Sequence, residues 1–131
     1  MSVGKGIDHV GIVVDDLAGA QHFLTDVLGF AVDREISIPG RVKAVVLRNG
    51  SSSIELMDIS EARNAAGARP EELPRDHVAV EVDDLDEAMT ELRAVGVETT
   101  KDEPSVSGST RSFFTKPETT YGVAYQFFEL I

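Results

Sequence analysis

The chain has 131 residues, 42% of them hydrophobic and 27% charged, enough for one domain (1–131) with a real core and too few for two comfortable independent ones. Its formal charge of −11 argues against a nucleic-acid partner, because a polyanion is repelled before specific contacts form. Having no cysteine excludes disulfides, thiolate metal sites and cysteine nucleophiles, so a metal would be held by His, carboxylate or amide oxygen.

The opening residues lack a basic leader with a long apolar stretch, and no later run reaches the length of a membrane span, so a cytoplasmic protein is expected. The first element is an alternating β-branched run, DHVGIVV from Asp8, which ends on Asp15-Asp16. Leu17, Ala20, Leu24, Val27 and Leu28 then form an apolar stripe at helical spacing, with Asp16 as its cap and Gly29 at its left-handed stop. Extended segments follow at 30–37, 41–48 and 52–59, divided by Pro39-Gly40 and by Asn49-Gly50, the latter a hairpin signal. The polar stretch 60–75 shows no period and reads as a linker.

At Asp76 the order restarts. DHVAVEVDDL repeats DHVGIVVDDL, and a stripe of Leu85, Ala88, Met89, Leu92 and Val95, capped by Asp84, ends at Gly96. Extended segments at 97–101, 111–116 and 122–130 complete the second copy. The chain is therefore expected to be α+β, with two βαβββ modules at 6–59 and 76–131 joined by the linker 60–75.

The repeat puts His9 and His77 at equivalent points near the start of each first strand. A strand histidine is more often structural than a ligand, but two at matched positions carry more weight. Aligning the closing strands sets SIELMD against AYQFFE and pairs Glu55 with Gln126. Alternation gives Glu55 the face of Met57 and Gln126 the face of Phe128. A polar group among such neighbours is paired or metal-bound if that face is inward, and merely solvated if it lies outward at a sheet edge. If both sheets curve around one cavity, His9, Glu55, His77 and Gln126 suit a six-coordinate divalent ion, with Zn, Ni, Co, Mn and Fe all compatible.

These segments resemble a known family. IDHVGIVVDDL, RDHVAVEVDDL, DVLGF, Ile54-Glu55-Leu56 and the closing KPETTYGVAYQFFEL are together similar to the vicinal oxygen chelate superfamily (glyoxalase, bleomycin resistance, dioxygenase), with methylmalonyl-CoA epimerases and glyoxalase I-like proteins as the nearest likeness. The resemblance implies a curved sheet around a metal cup, with His9, Glu55, His77 and Gln126 as the ligands. It also implies carboxylates at two positions where this chain has Gln126 and Ala44, which leaves Glu55 as the evident base. Arg111, after the turn Ser107-Gly108-Ser109-Thr110, matches a basic residue that would hold an anionic substrate group, and its other reading is an ordinary exposed arginine.

The expected function is a metal-dependent isomerase or lyase that stabilises an enediolate-like intermediate on a small carbonyl or acyl-thioester substrate. The alternatives are a small-molecule binding or drug-sequestering protein without turnover and a non-haem iron dioxygenase. His22 reads as a solvated helix residue, and a homodimer is expected from exposed sheet edges.

Overall fold

The parallel pairing of β1 (Gly6–Val13) with β4 (Ser52–Asp58) organises the first half of the chain in the computed structural model, which describes residues 3–131. Strands β2 (Ala31–Ile38) and β3 (Val42–Asn49) complete a four-stranded run in the order β2-β3-β4-β1. The second half repeats the plan: β5 (His77–Glu81) pairs in parallel with β8 (Tyr125–Leu130), followed outward by β7 (Thr110–Phe114) and β6 (Ser105–Ser107). With helix α1 (Leu17–His22) after β1 and α3 (Leu85–Ala94) after β5, each half is βαβββ and the fold is α+β. The chain forms two compact units, His9–Asp76 and a second comprising His77–Ile131 with the described residues up to Asp8. The expected linker belongs to the first unit, where it contains the short helix α2 (Ser60–Arg63) and a turn of 3₁₀ helix at Pro70–Glu72.

Alternation divides the first unit's side chains between two faces. Leu24, Val45, Leu47 and Leu56 pack with Leu17, Ala20 and Ile54 on the helix side, while Ala44, Met57 and Ile59 gather Val13, Ile36 and Leu73 on the other. In the second unit Val82, Leu85, Ala88, Met89, Phe113 and Phe127 form the helix-side core. Both predicted caps are present: Asp16 accepts from the Gly19 amide at 2.9 Å and Asp84 from the Glu87 amide at 3.0 Å. Gly29 (φ 78°) and Gly96 (φ 93°) take the left-handed conformation expected after each helix.

Three expectations change. The first stripe does not end as a regular helix, because residues Phe23–Val27 widen into a π turn closed by the Leu28 amide on the Phe23 carbonyl. The extra residue rotates the end of the stripe, so Val27 and Leu28 are exposed while Leu24 is buried. The hairpin of β3 and β4 turns one residue later than the Asn-Gly signal suggested. Asn49 still pairs with Ser52, which leaves Gly50 (φ 61°) and Ser51 as the loop, a glycine-first arrangement suited to a type II′ turn. The segment 97–101 is not a strand: Thr99 makes only an isolated bridge to Thr115. The Thr100 amide bonds the Phe114 carbonyl at 2.9 Å and the Lys116 amide the Glu98 carbonyl at 2.8 Å around that bridge, while the Thr99 hydroxyl turns to the Lys101 carbonyl at 2.7 Å and accepts from Arg93. The strand after α3 forms instead at Ser105–Ser107.

Candidate active site

In the first unit the β1/β4 register decides the site. Gly11 lies opposite Glu55, so His9, two positions earlier on β1, shares the face of Glu55. The imidazole Nε2 and the carboxylate Oε1 are 3.8 Å apart, with both side chains mostly buried. That separation exceeds hydrogen-bond range. It is still less than twice the ~2.1 Å metal–ligand bond of His nitrogen or carboxylate oxygen, so the two atoms are within reach of one shared cation. The solvated-edge reading of Glu55 therefore fails, since Glu55 sits on an interior strand between β1 and β3.

The second unit repeats this register position for position. Ala79 lies opposite Gln126 as Gly11 lies opposite Glu55, so His77 shares the face of Gln126. His77 is buried, and its ring meets Phe114 edge-on with centroids 5.5 Å apart; Phe114 is in turn the β7 partner of Gln126. The correspondence extends to the backbone, where the Val14 amide bonds the Met57 carbonyl and the Val82 amide bonds the Phe128 carbonyl, both at 2.9 Å. Small residues, Gly11 and Ala79, stand opposite Glu55 and Gln126 in the two registers, a correspondence that a reading centred on polar residues missed.

Arg111 does not share the face of Gln126. It pairs with Glu129 across β7 and β8, and alternation places it with Phe113 and Phe127 on the side of α3. Its guanidinium donates to Asp86 at 3.1 Å and to Glu129 at 3.2 Å. The Asp86 hydrogen bond raises its pKa above the usual arginine value, with the Asp86 charge and Glu129 contributing and burial opposing. Arg111, expected from the resemblance to bind substrate, is here ion-paired with Asp86 of α3 and Glu129 of β8 on the helix side of the sheet.

Ala44 lies on the face of Glu55, next to Met57, and supplies no second carboxylate there. His22 is exposed on its helix and pairs with Asp26 at 2.8 Å, as its solvated reading expects. Ser53 went unremarked in the sequence. It is buried on the face of Glu55, and its hydroxyl has no hydrogen-bond partner among the described residues.

The sequence matches the Glyoxalase/Bleomycin resistance protein/Dioxygenase superfamily over residues 8–114. The chain belongs to that superfamily. Among its relatives is the uncharacterized protein YwkD of Bacillus subtilis, 32% identical over 118 residues that span 87% of this chain and 91% of YwkD. The mouse mitochondrial methylmalonyl-CoA epimerase is 28% identical over 110 residues, covering 76% of this chain and 58% of the epimerase. Among solved structures, methylmalonyl-CoA epimerase from Mycobacterium tuberculosis superposes with a TM-score of 0.81 at 26% identity, covering 100% of this chain and 91% of that one. The fold is thus that of the superfamily, paired βαβββ modules included.

Proposed function

We infer that this chain is a metal-dependent isomerase or lyase acting on a small carbonyl or acyl-thioester substrate, with His9, Glu55, His77 and Gln126 as ligands to one divalent ion. The observation that carries the reading is the repeated register. Each unit sets a histidine and a polar side chain on one face of a parallel strand pair, and in the first unit the two donors are 3.8 Å apart. Two imidazoles, a carboxylate and an amide oxygen form a donor set of borderline softness that suits Zn, Ni, Co, Mn or Fe. A bound divalent ion would supply Lewis acidity that lowers the energy of enediolate charge on the substrate.

The chain's own contribution centres on Glu55. A carboxylate can take a proton from the carbon next to a carbonyl and return it, whereas the amide of Gln126 has no basic lone pair for the task. Glu55, once it leaves the metal during turnover, is therefore the base in this reading, and the same carboxyl group reprotonates the enediolate-like intermediate at the neighbouring carbon for a glyoxalase-like lyase, or at the original carbon for an isomerase in which the intermediate first turns its other face to Glu55. The epimerase names among the relatives fit this chemistry. Work by two opposed carboxylates does not fit the first-unit face, where Ala44 stands.

Metal analysis of the purified protein tests the reading. About one equivalent of divalent ion per chain is expected, with loss of that metal in His77→Ala; full occupancy in the variant would refute it. A drug-sequestering protein without turnover would bind its ligand equally well in Glu55→Gln. A homodimer belongs to the same reading and is supported by the edge strands β2 and β6, as does a cytoplasmic location, supported by the lack of cysteine. Among the described residues no helix is long and apolar enough to cross a membrane.

A further inference from the structure

The pairing of β2 with β3 slips at one place. Val32 lies opposite Leu47 and Arg34 opposite Val46, so Asp33 is an inserted residue with no partner across the ladder. The slip decides where an arginine points. Val32 and Leu47 belong to the helix-side face, and strict alternation would return Arg34 to that side, opposite Val45. The bulge instead sets Arg34 opposite Val46, and Val46 opposite Glu55, so all three share one face. Arg48, opposite Ser53 on that same face, is the second cation there.

The local charges are unbalanced. The carboxylate of Asp33 is 3.4 Å from both the Arg34 Nη1 and the Arg48 Nε, so one acid serves two guanidiniums at long range. Around half of each arginine side chain remains exposed, which leaves N–H donors open to an incoming group. In a chain of net charge −11, two arginines sharing one acid on the face of the base form a local positive feature. A planar fork of donors suits a carboxylate or phosphate oxygen pair.

We propose that Arg34, turned by the Asp33 bulge onto the face of Glu55 and assisted by Arg48, binds an oxyanion group of the substrate and so selects anionic carbonyl or acyl-thioester compounds. This rests on the reading of Glu55 as the base, because the shared face is what makes Arg34 a specificity-determining residue rather than a surface cation. Asp33 then acts as an internal stand-in for the anion, to be displaced when substrate enters.

The test is titration of the full-length purified protein with propionate and, separately, inorganic phosphate, followed by the Nε–Hε resonances of the arginines. Arg34→Gln should weaken binding about tenfold, Arg34→Lys should retain part of it, and Asp33→Asn should strengthen it several-fold by removing the competing carboxylate. The relative affinity for the two probes identifies the carboxylate or the phosphate as the recognised group. His77→Ala separates this proposal from the metal reading, since anion binding at Arg34 persists there even if metal is lost. Unchanged affinity in Arg34→Gln overturns the proposal. So does affinity that disappears in His77→Ala and survives in Arg34→Gln, because the anion would then sit on the metal.

Discussion

The two units carry the same βαβββ order and the same parallel register, yet they spend their sequence differently. In the first, β2 and β3 are eight-residue strands and the helix after β1 is short, ending in a widened turn. In the second, the helix runs ten regular residues while the outermost strand has shrunk to three. The polar positions differ to match: the first unit holds a carboxylate at Glu55 with two arginines along its face, and the second holds the amide of Gln126 beside aromatic Phe114. On the proposed reading, the first half carries the base Glu55 and the second contributes the neutral donors His77 and Gln126.

The sharpest way to break this contrast is to make the halves alike. Glu55→Gln gives both units an amide at the matched position, and turnover of a carbonyl or thioester substrate should fall by about 10²–10⁴-fold, the usual contribution of a positioned base. Gln126→Glu is the reverse experiment. It should tighten metal retention in a chelator competition, since a carboxylate is a stronger ligand than an amide for most divalent ions, without restoring activity when combined with Glu55→Gln. Recovery of turnover in that double variant would show that the halves are interchangeable and that the base need not lie in the first.

The next largest effect concerns packing. Leu47 and Leu85 are both fully buried, one in each unit's helix-side core. Leu47→Ala and Leu85→Ala should each lower stability by about 2–5 kcal/mol, read from the urea midpoint. A loss under about 1 kcal/mol at either position would mean that its core can collapse around the gap.

Much of this architecture was legible because a repeat constrains each copy with the other. His9 could be matched with His77 and Glu55 with Gln126 from the repeat, whereas the shared face of His9 and Glu55 follows only from the parallel β1/β4 register. The extent of the segment 97–101 could not be read in this way, because its pairing with the end of β7 stops at one bridge, Thr99 to Thr115, flanked by the bonds of Thr100 to Phe114 and of Lys116 to Glu98. The face of Arg111 was hidden as well. Its sequence position beside a glycine turn says nothing of face, which the pairing with Glu129 alone decides. The Asp33 bulge was equally hidden: a single inserted residue breaks the period of two, and no glycine or proline marks the place.

A smaller effect is expected from the helix caps. Asp84→Ala removes the acceptor for the Glu87 amide at the head of a ten-residue helix and should cost about 1 kcal/mol. Asp16→Ala should cost less, because α1 has six residues, none of them buried, and depends on Leu24 in the following turn for its anchorage. Equal losses in thermal unfolding would show that the widened turn is as strongly held as the regular helix.

The smallest expected difference comes from Asp58 and Glu129, the matched acids that follow each closing-strand site. Glu129 reaches the Leu85 amide and Arg111, whereas Asp58 folds back on the Ser60 amide at 2.9 Å. That backbone hydrogen bond, with help from the Ser60 side chain, lowers the Asp58 pKa from its ordinary value of 3.8. A carboxylate whose folded pKa is depressed stabilises the native state above its unfolded value, and the contribution is lost as pH falls through the folded one. Asp58→Asn should therefore flatten the acid side of the stability curve, leaving wild type and variant to converge below the folded pKa of Asp58. Urea midpoints between neutral pH and pH values below 3.8 would measure this. Because the group is partly open to solvent, the gap at neutral pH should be small, and a large one would mean that the Asx turn before α2 holds more of the first unit in place than its single hydrogen bond suggests.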